Sequence, residues 1–194
     1  YHYNNFWNTD HITHADKPLL VIKPLNKSGS LGLRVISRGD DIDDIDISQC
    51  IIEEYCTGKD LFPRIEQFDT SEIALDCLVE NGKVTYLNGA LRLFWRDRIG
   101  IEAGHINPCP DIIDSTVMNL VKDAARNLGV TQGIFKIDLK HTEKYGWIVL
   151  ECATRPSGGF DHMYTSPLAT GTNVTGIILD AALGLELDEQ KLQI

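Results

Sequence analysis

The sequence predicts an α+β fold, with a larger antiparallel sheet flanked by helices and a smaller α/β lid subdomain before it. Residues 71–79 and 135–139 alternate apolar and polar side chains, which is typical of strands that bury one face. Residues 111–128 instead repeat apolar side chains at helical spacing, and Gly129 is a typical helix end. The expected parts are an irregular start at 1–16, the lid at 17–55 and the larger subdomain at 56–194.

Composition excludes several classes of protein. A length of 194 residues suffices for one sizeable domain, or one domain with a small lid. With 18 basic and 28 acidic residues the formal net charge is −10, which disfavours binding to nucleic acid. No apolar run approaches the roughly 20 residues that span a bilayer. Five cysteines without CxxC spacing argue against structural zinc and favour a reducing cytoplasm.

The first sixteen residues show no periodicity and lack the basic and apolar regions of a signal peptide. A polar chain end explains the three histidines of this segment better than a metal site does: His2, His11 and His14. We assign the segment no function.

A loop rich in glycine and serine separates two short apolar strands. Residues 19–22 and 33–36 are the predicted strands, and Pro24 ends the first. The plain interpretation is a hairpin with a glycine-rich tip. The alternative is a phosphate cradle, because glycines permit close backbone approach while N–H groups, hydroxyls and amines bind anionic oxygens. The cradle residues would be Lys23, Lys27, Ser28, Gly29, Ser30 and Gly32.

Further elements follow along the chain. Residues 39–49 are an acidic run, interpreted as a solvated loop or short irregular helix. Asn81-Gly82 is a type I′ hairpin signal that joins the strand at 71–79 to one at 83–91. The remaining assignments are a strand at 50–56, an extended loop at 59–70, a loop at 100–110 and a second helix at 172–183.

Residues 133–159 predict a hairpin that brings two acidic side chains together. A turn centred between Lys144 and Tyr145, with Gly146 helping the chain to reverse, places Asp138 directly opposite Glu151, on one face, with β-carbons about 4.5–5.5 Å apart. Two carboxylates so placed repel each other unless a cation lies between them, and hard oxygen ligands suit Mg²⁺. The alternative is a solvated face in which two lysines neutralise the acids: Lys136 and Lys140.

Four segments in this order resemble the ATP-grasp superfamily of carboxylate–amine and carboxylate–thiol ligases. They are VIKPLNKSGSLG (21–32), IIEEYCTG (51–58), SEIALDCLVENGKV (71–84) and GIFKIDLKHTEKYGWIVLECATRPSGG (133–159). The resemblance extends over residues 18–184, and GHINPCP followed by a helix is similar to the branch of amino-acid ligases and carbamoyl-phosphate-synthase-like proteins. It implies an ATP-grasp-like fold and an ATP- and Mg²⁺-dependent ligase.

The resemblance also implies a nucleotide site. Lys23 matches a lysine that contacts the phosphates, and residues 26–32 match a flexible loop that closes over them. Glu72 matches the ribose ligand, in an E-x-x-x-D pattern ending at Asp76, with Asp60 as the alternative. The linker strand whose backbone recognises adenine corresponds to Glu53, Glu54, Tyr55 and Cys56.

The same resemblance implies the metal ligands and a catalytic arginine. Asp138 and Glu151 match the magnesium ligands, and Arg155 matches an arginine that binds the transferring phosphate or the acyl-phosphate. Ala153 stands where the family often has an asparagine ligand, so one or two Mg²⁺ ions are expected, with Mn²⁺ as an alternative. Only 22 residues precede Lys23, where family members carry a further domain, so we expect a fragment that lacks part of the active site.

The implied reaction transfers the γ-phosphoryl group of ATP to a substrate carboxylate, followed by attack of an amine or similar nucleophile and release of ADP and phosphate. The partners would be small-molecule carboxylates and amines, and a homodimer is a further possibility. A biotin-carboxylase-like enzyme and a nucleotide-binding fragment without activity are the alternatives. Glu102 and His105 could face the acceptor substrate, or they could be ordinary surface residues. Likewise, a carboxylate substrate could be bound by three arginines that a solvated strand end explains equally well: Arg92, Arg96 and Arg98.

Overall fold

The computed structural model describes residues 19–37, 39–185 and 192, and the predicted irregular start at 1–16 lies outside them. A first, three-stranded antiparallel sheet has the order β2–β1–β3. Its strands are β1 (Leu19–Pro24), β2 (Arg34–Ser37) and β3 (Cys50–Glu54). Leu20, Ile22 and Ile36 fill its buried face, and Ile42 and Ile45 of the acidic run pack against them, which anchors this run.

A second antiparallel sheet of five strands has the order β6–β5–β4–β7–β8. Its strands are β4 (Phe68–Glu80), β5 (Lys83–Trp95), β6 (Glu102–Ile106), β7 (Gln132–Thr142) and β8 (Gly146–Ala153). The turn between β4 and β5 is at Asn81 and Gly82, whose φ angles of 50° and 79° are the positive values that a type I′ turn requires.

Helices cover both faces of the larger sheet. On one face α1 (Ser115–Asn127) packs Val117, Val121 and Ala125 against the inward side chains of β4 and β7. On the other face α3 (Val174–Ala182) packs against Leu78 and Leu87. Burial of each large apolar side chain contributes about 1.5–3 kcal/mol. The predicted α+β class with a helix-flanked antiparallel sheet is therefore confirmed.

The prediction that residues 100–110 form a loop is wrong. This segment contains β6, which pairs with β5 through Leu91↔Ile106 and Leu93↔Gly104. This edge strand is largely exposed and lacks apolar alternation. Backbone pairing with a distant strand forms it, and no local pattern reports such pairing.

Other boundaries also differ from the predictions. The helix expected from residue 111 begins at Ser115, because the Asp114 carboxylate accepts the Val117 N–H as an N-cap, after a 3₁₀ turn at Pro110–Ile112. The strand expected at 50–56 ends at Glu54. A π-helical turn at Asp161–Thr165 and α2 (Ser166–Thr170) follow the last strand and were not anticipated.

None of the helices in the described part of the chain is both long and apolar enough to span a membrane.

Candidate functional site

A cavity of about 750 Å³ opens between the two sheets. One wall comes from β1, β3 and the loop between β1 and β2, and the other from β4, β5, β7 and β8. Its volume lies within the range of about 300–1,000 Å³ that small-molecule and cofactor sites occupy.

Five of the six predicted cradle residues line this cavity, and Gly32 is not among the lining residues. The five are Lys23, Lys27, Ser28, Gly29 and Ser30. The loop reverses through left-handed backbone at Gly29 and Ser30, with φ of 61° and 59°. It reaches the turn that follows β5: a β-carbon placed on Gly100 would lie 3.2 Å from the Ser30 β-carbon. The loop therefore lines the cavity and also contacts the turn that follows β5 of the larger sheet.

The end of β3 and the linker that follows it lead from the smaller sheet to the larger one. Glu53, Glu54, Tyr55 and Cys56 of this stretch all line the cavity. Glu53 forms an ion pair with Lys23. Both carboxylate oxygens of Glu54 are engaged, one by Lys144 Nζ at 2.9 Å and the other by Tyr145 Oη at 2.8 Å. These bonds fix the linker to the turn between β7 and β8.

Glu72 and Lys140 form a buried ion pair on the floor of the cavity. They are opposed in the β4–β7 register, with 3.1 Å between Lys140 Nζ and Glu72 Oε1. Burial raises the pKa of Glu72 even though the Lys140 ammonium opposes this shift. Burial also acts to lower the pKa of Lys140, but the attraction of Glu72 and Asp69 outweighs it, so this pKa is raised.

Asp60, the alternative ribose ligand, is not among the residues that line the cavity. Its Oδ2 accepts from Arg96 Nη2 at 2.6 Å and its Oδ1 from the Thr70 N–H at 2.9 Å. Burial would raise the Asp60 pKa, but these hydrogen bonds outweigh burial and lower it. Of the two candidates, the structure brings only Glu72 to the cavity.

Asp138 and Glu151 are directly paired in the β7–β8 register, and a bulge follows Asp138. Both line the cavity. Lys136 Nζ contacts Asp138 Oδ2 and lies 3.4 Å from Glu151 Oε1, so the two acids share a face with this lysine. Arg92 Nη1 donates to Asp138 Oδ2 at 3.2 Å. Of the two lysines that the alternative interpretation expected to neutralise these acids, Lys136 contacts them, whereas Lys140 pairs with Glu72.

The oxygens of this pair fit a hard cation. Asp138 is 5% exposed, and its Oδ1 is buried without a hydrogen-bond partner. Burial raises the pKa of Asp138, against the opposing effect of Lys136 and Arg92. Within the described residues no group of three or more His, Cys, Asp or Glu side chains is placed to hold a metal. An ion here would take its remaining ligands from a bound molecule or water.

Arg155 lies outside the set of residues that line the cavity. Its side chain is 57% exposed, its Nη1 donates to the Pro156 carbonyl at 3.0 Å, and its Nη2 lies 3.8 Å from Glu151 Oε1. The following loop is anchored by Asp76, whose Oδ1 accepts from the Ser157 N–H at 2.8 Å. The structure thus brings Arg155 near the acidic pair but does not direct it into the cavity.

The residues expected on the acceptor side, and those expected to bind a carboxylate, contact other side chains of the protein. Arg92 Nη2 binds Glu102 Oε2 at 2.6 Å, and His105 Nε2 lies 2.6 Å from Asp161 Oδ1. Arg96 pairs with Asp60, while Arg98 is an exposed side chain 3.9 Å from Asp97. Arg92 also lines the cavity and contacts Asp138, a contact that the sequence did not predict. Its opposition to Glu72 depends on a bulge in the β4–β5 hairpin at Asp76 and Cys77, which shifts the register by one residue and which the predicted turn does not reveal.

No protein-family model and no curated protein sequence matches the chain. Solved structures do match it. The L-amino acid ligase from Bacillus licheniformis is 21% identical with a TM-score of 0.60, over 87% of this chain and 39% of that chain. The carboxyaminoimidazole ribonucleotide synthase from Aspergillus clavatus, solved with ATP, is 16% identical with a TM-score of 0.64, over 91% and 44%.

A third similar structure is the N5-carboxyaminoimidazole synthetase from Staphylococcus aureus in complex with ADP. It is 18% identical with a TM-score of 0.62, over 88% of this chain and 42% of that one. At such identities the likeness shows the fold, while function must be argued from the site. The chain spans less than half the length of each of these solved chains.

Proposed function

We propose that this chain, which has the ATP-grasp fold, is the nucleotide-binding part of an ATP-dependent ligase that joins a carboxylate to an amine or similar nucleophile. The observation that carries the proposal is the cavity between the two sheets. Five separate segments contribute to it, including a glycine-rich loop and a linker strand. They bring three lysines and three acidic residues to the cavity: Lys23, Lys27, Lys140, Glu72, Asp138 and Glu151.

The nucleotide would lie along the cavity in one direction. Its adenine would meet the backbone of residues 53–56, because the Glu54 side chain is already bound by Lys144 and Tyr145. The ribose would lie near Glu72, which is on the cavity floor. The phosphates would lie between Lys23 and the loop residues Ser28 and Ser30, whose N–H and hydroxyl groups suit anionic oxygens.

Asp138 and Glu151 are the residues that would hold Mg²⁺, and the unpartnered Asp138 Oδ1 supports this assignment. When bound, the ion supplies positive charge to phosphate oxygens and so eases phosphoryl transfer. The number of ions, one or two, stays part of the proposal.

The residues of this chain would act chiefly by position and charge. Lys23 and the loop N–H groups stabilise the phosphates, while the loop that contacts the Gly100 turn keeps water from an acyl-phosphate. Arg155 would turn from the Pro156 carbonyl towards the transferring phosphate, a short movement since it already lies 3.8 Å from Glu151. The substrates proposed are small carboxylates and amines. We propose the cytoplasm as the compartment, since all five cysteines are free thiols.

Calorimetric titration with Mg-ATP, followed by product analysis with a panel of carboxylates and amines, tests the proposal. We expect saturable binding and substrate-dependent release of ADP and phosphate. Release of AMP and pyrophosphate would contradict the chemistry, and absence of binding would contradict the assignment of the cavity.

A nucleotide-binding module without activity of its own is the second candidate. It is favoured by Arg155 lying outside the cavity lining. Saturable binding of Mg-ATP without turnover on any substrate pair would support this candidate over the ligase.

A further inference from the structure

Lys136 is a buried cation placed against both proposed metal ligands. It is 6% exposed, contacts Asp138 Oδ2 and has its Nζ 3.4 Å from Glu151 Oε1. It is not among the residues that line the cavity, whereas both carboxylate residues are.

The β7–β8 register explains why the lysine fits there. Lys136 is opposed by Ala153, next to the Asp138–Glu151 pair. Directly opposed residues project from the same face, so a small alanine leaves room for the lysine chain to extend to the acids. Arg92 adds a second positive charge at 3.2 Å from Asp138 Oδ2. Two cationic groups therefore already contact this acidic pair, and one of them, Arg92, is shared with Glu102.

We propose that Lys136 serves as a tethered cation that keeps free divalent ions out of the Asp138–Glu151 pair, so that metal enters this site together with the nucleotide. This inference rests on the proposed function. A lone Mg²⁺ or Mn²⁺ would meet one buried oxygen of this pair that lacks a hydrogen-bond partner, Asp138 Oδ1, while the Lys136 ammonium contacts the other oxygen of the same carboxylate. The phosphates of a nucleotide change this balance, because they add negative charge and further oxygen ligands.

The expected size of the effect follows from Coulomb's law. An ion bound to Asp138 lies within roughly 5 Å of the ammonium, and at the dielectric constant of water a unit charge repels a divalent one there strongly enough to lower affinity about tenfold. Removing the lysine charge should raise the affinity for a free divalent ion by about that factor.

Mn²⁺ binding measured by electron paramagnetic resonance, with and without ADP, tests this inference. The variants are Lys136→Met and Lys136→Gln, with Lys122→Met on the exposed face of α1 as the matched control. Without nucleotide, we expect Mn²⁺ to bind the Lys136 variants about tenfold more tightly than wild type, with Lys122→Met unchanged. With ADP, we expect wild type to bind Mn²⁺ well and the difference between variants to shrink.

Equal Mn²⁺ affinities for wild type and the Lys136 variants would overturn the inference and leave the proposed function standing. Failure of ADP to bind any of the proteins would overturn the proposed function, and with it the entry of metal with nucleotide. If neither Lys136 variant folds, as judged by circular dichroism, wild type alone decides: Mn²⁺ binding equally tight with and without ADP overturns the inference.

Discussion

Replacing Lys140 by methionine should destabilise the protein in a pH-dependent way. Lys140 is buried, with its Nζ 3.1 Å from Glu72 Oε1 and 4.0 Å from Asp69 Oδ2. Methionine keeps the volume of the side chain but removes the cation that contacts Glu72, which leaves Arg92 as the remaining positive charge near this largely buried carboxylate. Removing one partner of a buried ion pair costs about 3–5 kcal/mol, so we expect a loss of about 3 kcal/mol in the free energy of unfolding near pH 8.

The sign of the pH dependence follows from the pKa of Glu72. Burial already raises this pKa in the wild type, and the Lys140 ammonium opposes the rise. Without the lysine the folded-state pKa rises further above the unfolded one. A group with a raised folded pKa contributes stability below its unfolded pKa and loses it as the pH rises through the folded value. The deficit of the variant should therefore be smaller at about pH 5.5 than at about pH 8.

Urea unfolding followed by tryptophan fluorescence at both pH values measures this deficit. The double variant Glu72→Gln with Lys140→Met removes both charges, and we expect it to recover at least about half of the loss. Lys122→Met controls for the loss of a lysine on the surface. A deficit below about 1 kcal/mol, or one that is equal at both pH values, would refute the reasoning about this pair.

Three further outcomes are expected. Leu75→Ala, at a fully buried position of β4, should cost about 2–5 kcal/mol in urea unfolding, and a cost below 1 kcal/mol would show that the core is misassigned. Gly58→Ala should cost about 1–3 kcal/mol, because a β-carbon there overlaps a neighbouring serine side chain, whereas Gly104→Ala meets no atom within 4 Å and should differ little from wild type in the same assay. Lys23→Met should weaken ADP binding in calorimetry by about tenfold or more, while Arg155→Ala leaves it nearly unchanged, since only Lys23 lines the cavity; equal effects would contradict this placement.

Local patterns predicted much of the fold. The alternation in β4 and β7, the Asn81-Gly82 turn and the spacing of α1 each report a local preference, and each element is present. The edge strand β6 was missed because its pairing with β5 is long-range and its side chains do not alternate. The short helical segments at Asp161–Thr165 and Ser166–Thr170 were missed because the local sequence has no periodic pattern that predicts them.

The candidate site was partly accessible from sequence for a similar reason. Counting residues from a turn centred between Lys144 and Tyr145 predicted that Asp138 opposes Glu151, and the two are opposed. In the structure the turn pairs Thr142 with Gly146, and a bulge after Asp138 supplies the remaining shift of one residue. The neighbours of these acids were harder to foresee, because Arg92 reaches Asp138 across β4, which separates β5 from β7. The engagement of Glu54 by Lys144 and Tyr145 likewise joins segments about 90 residues apart.

The position of a bound nucleotide tests the central claim most directly. Photolabelling with 8-azido-ATP and Mg²⁺, followed by peptide mapping, reports which segment lies next to the adenine. We expect the label on residues 53–58 or on the cavity-facing residues 148–150, with protection by excess ADP. A label on α1 or on residues 160–170, or one that ADP does not suppress, would contradict a nucleotide site between the two sheets.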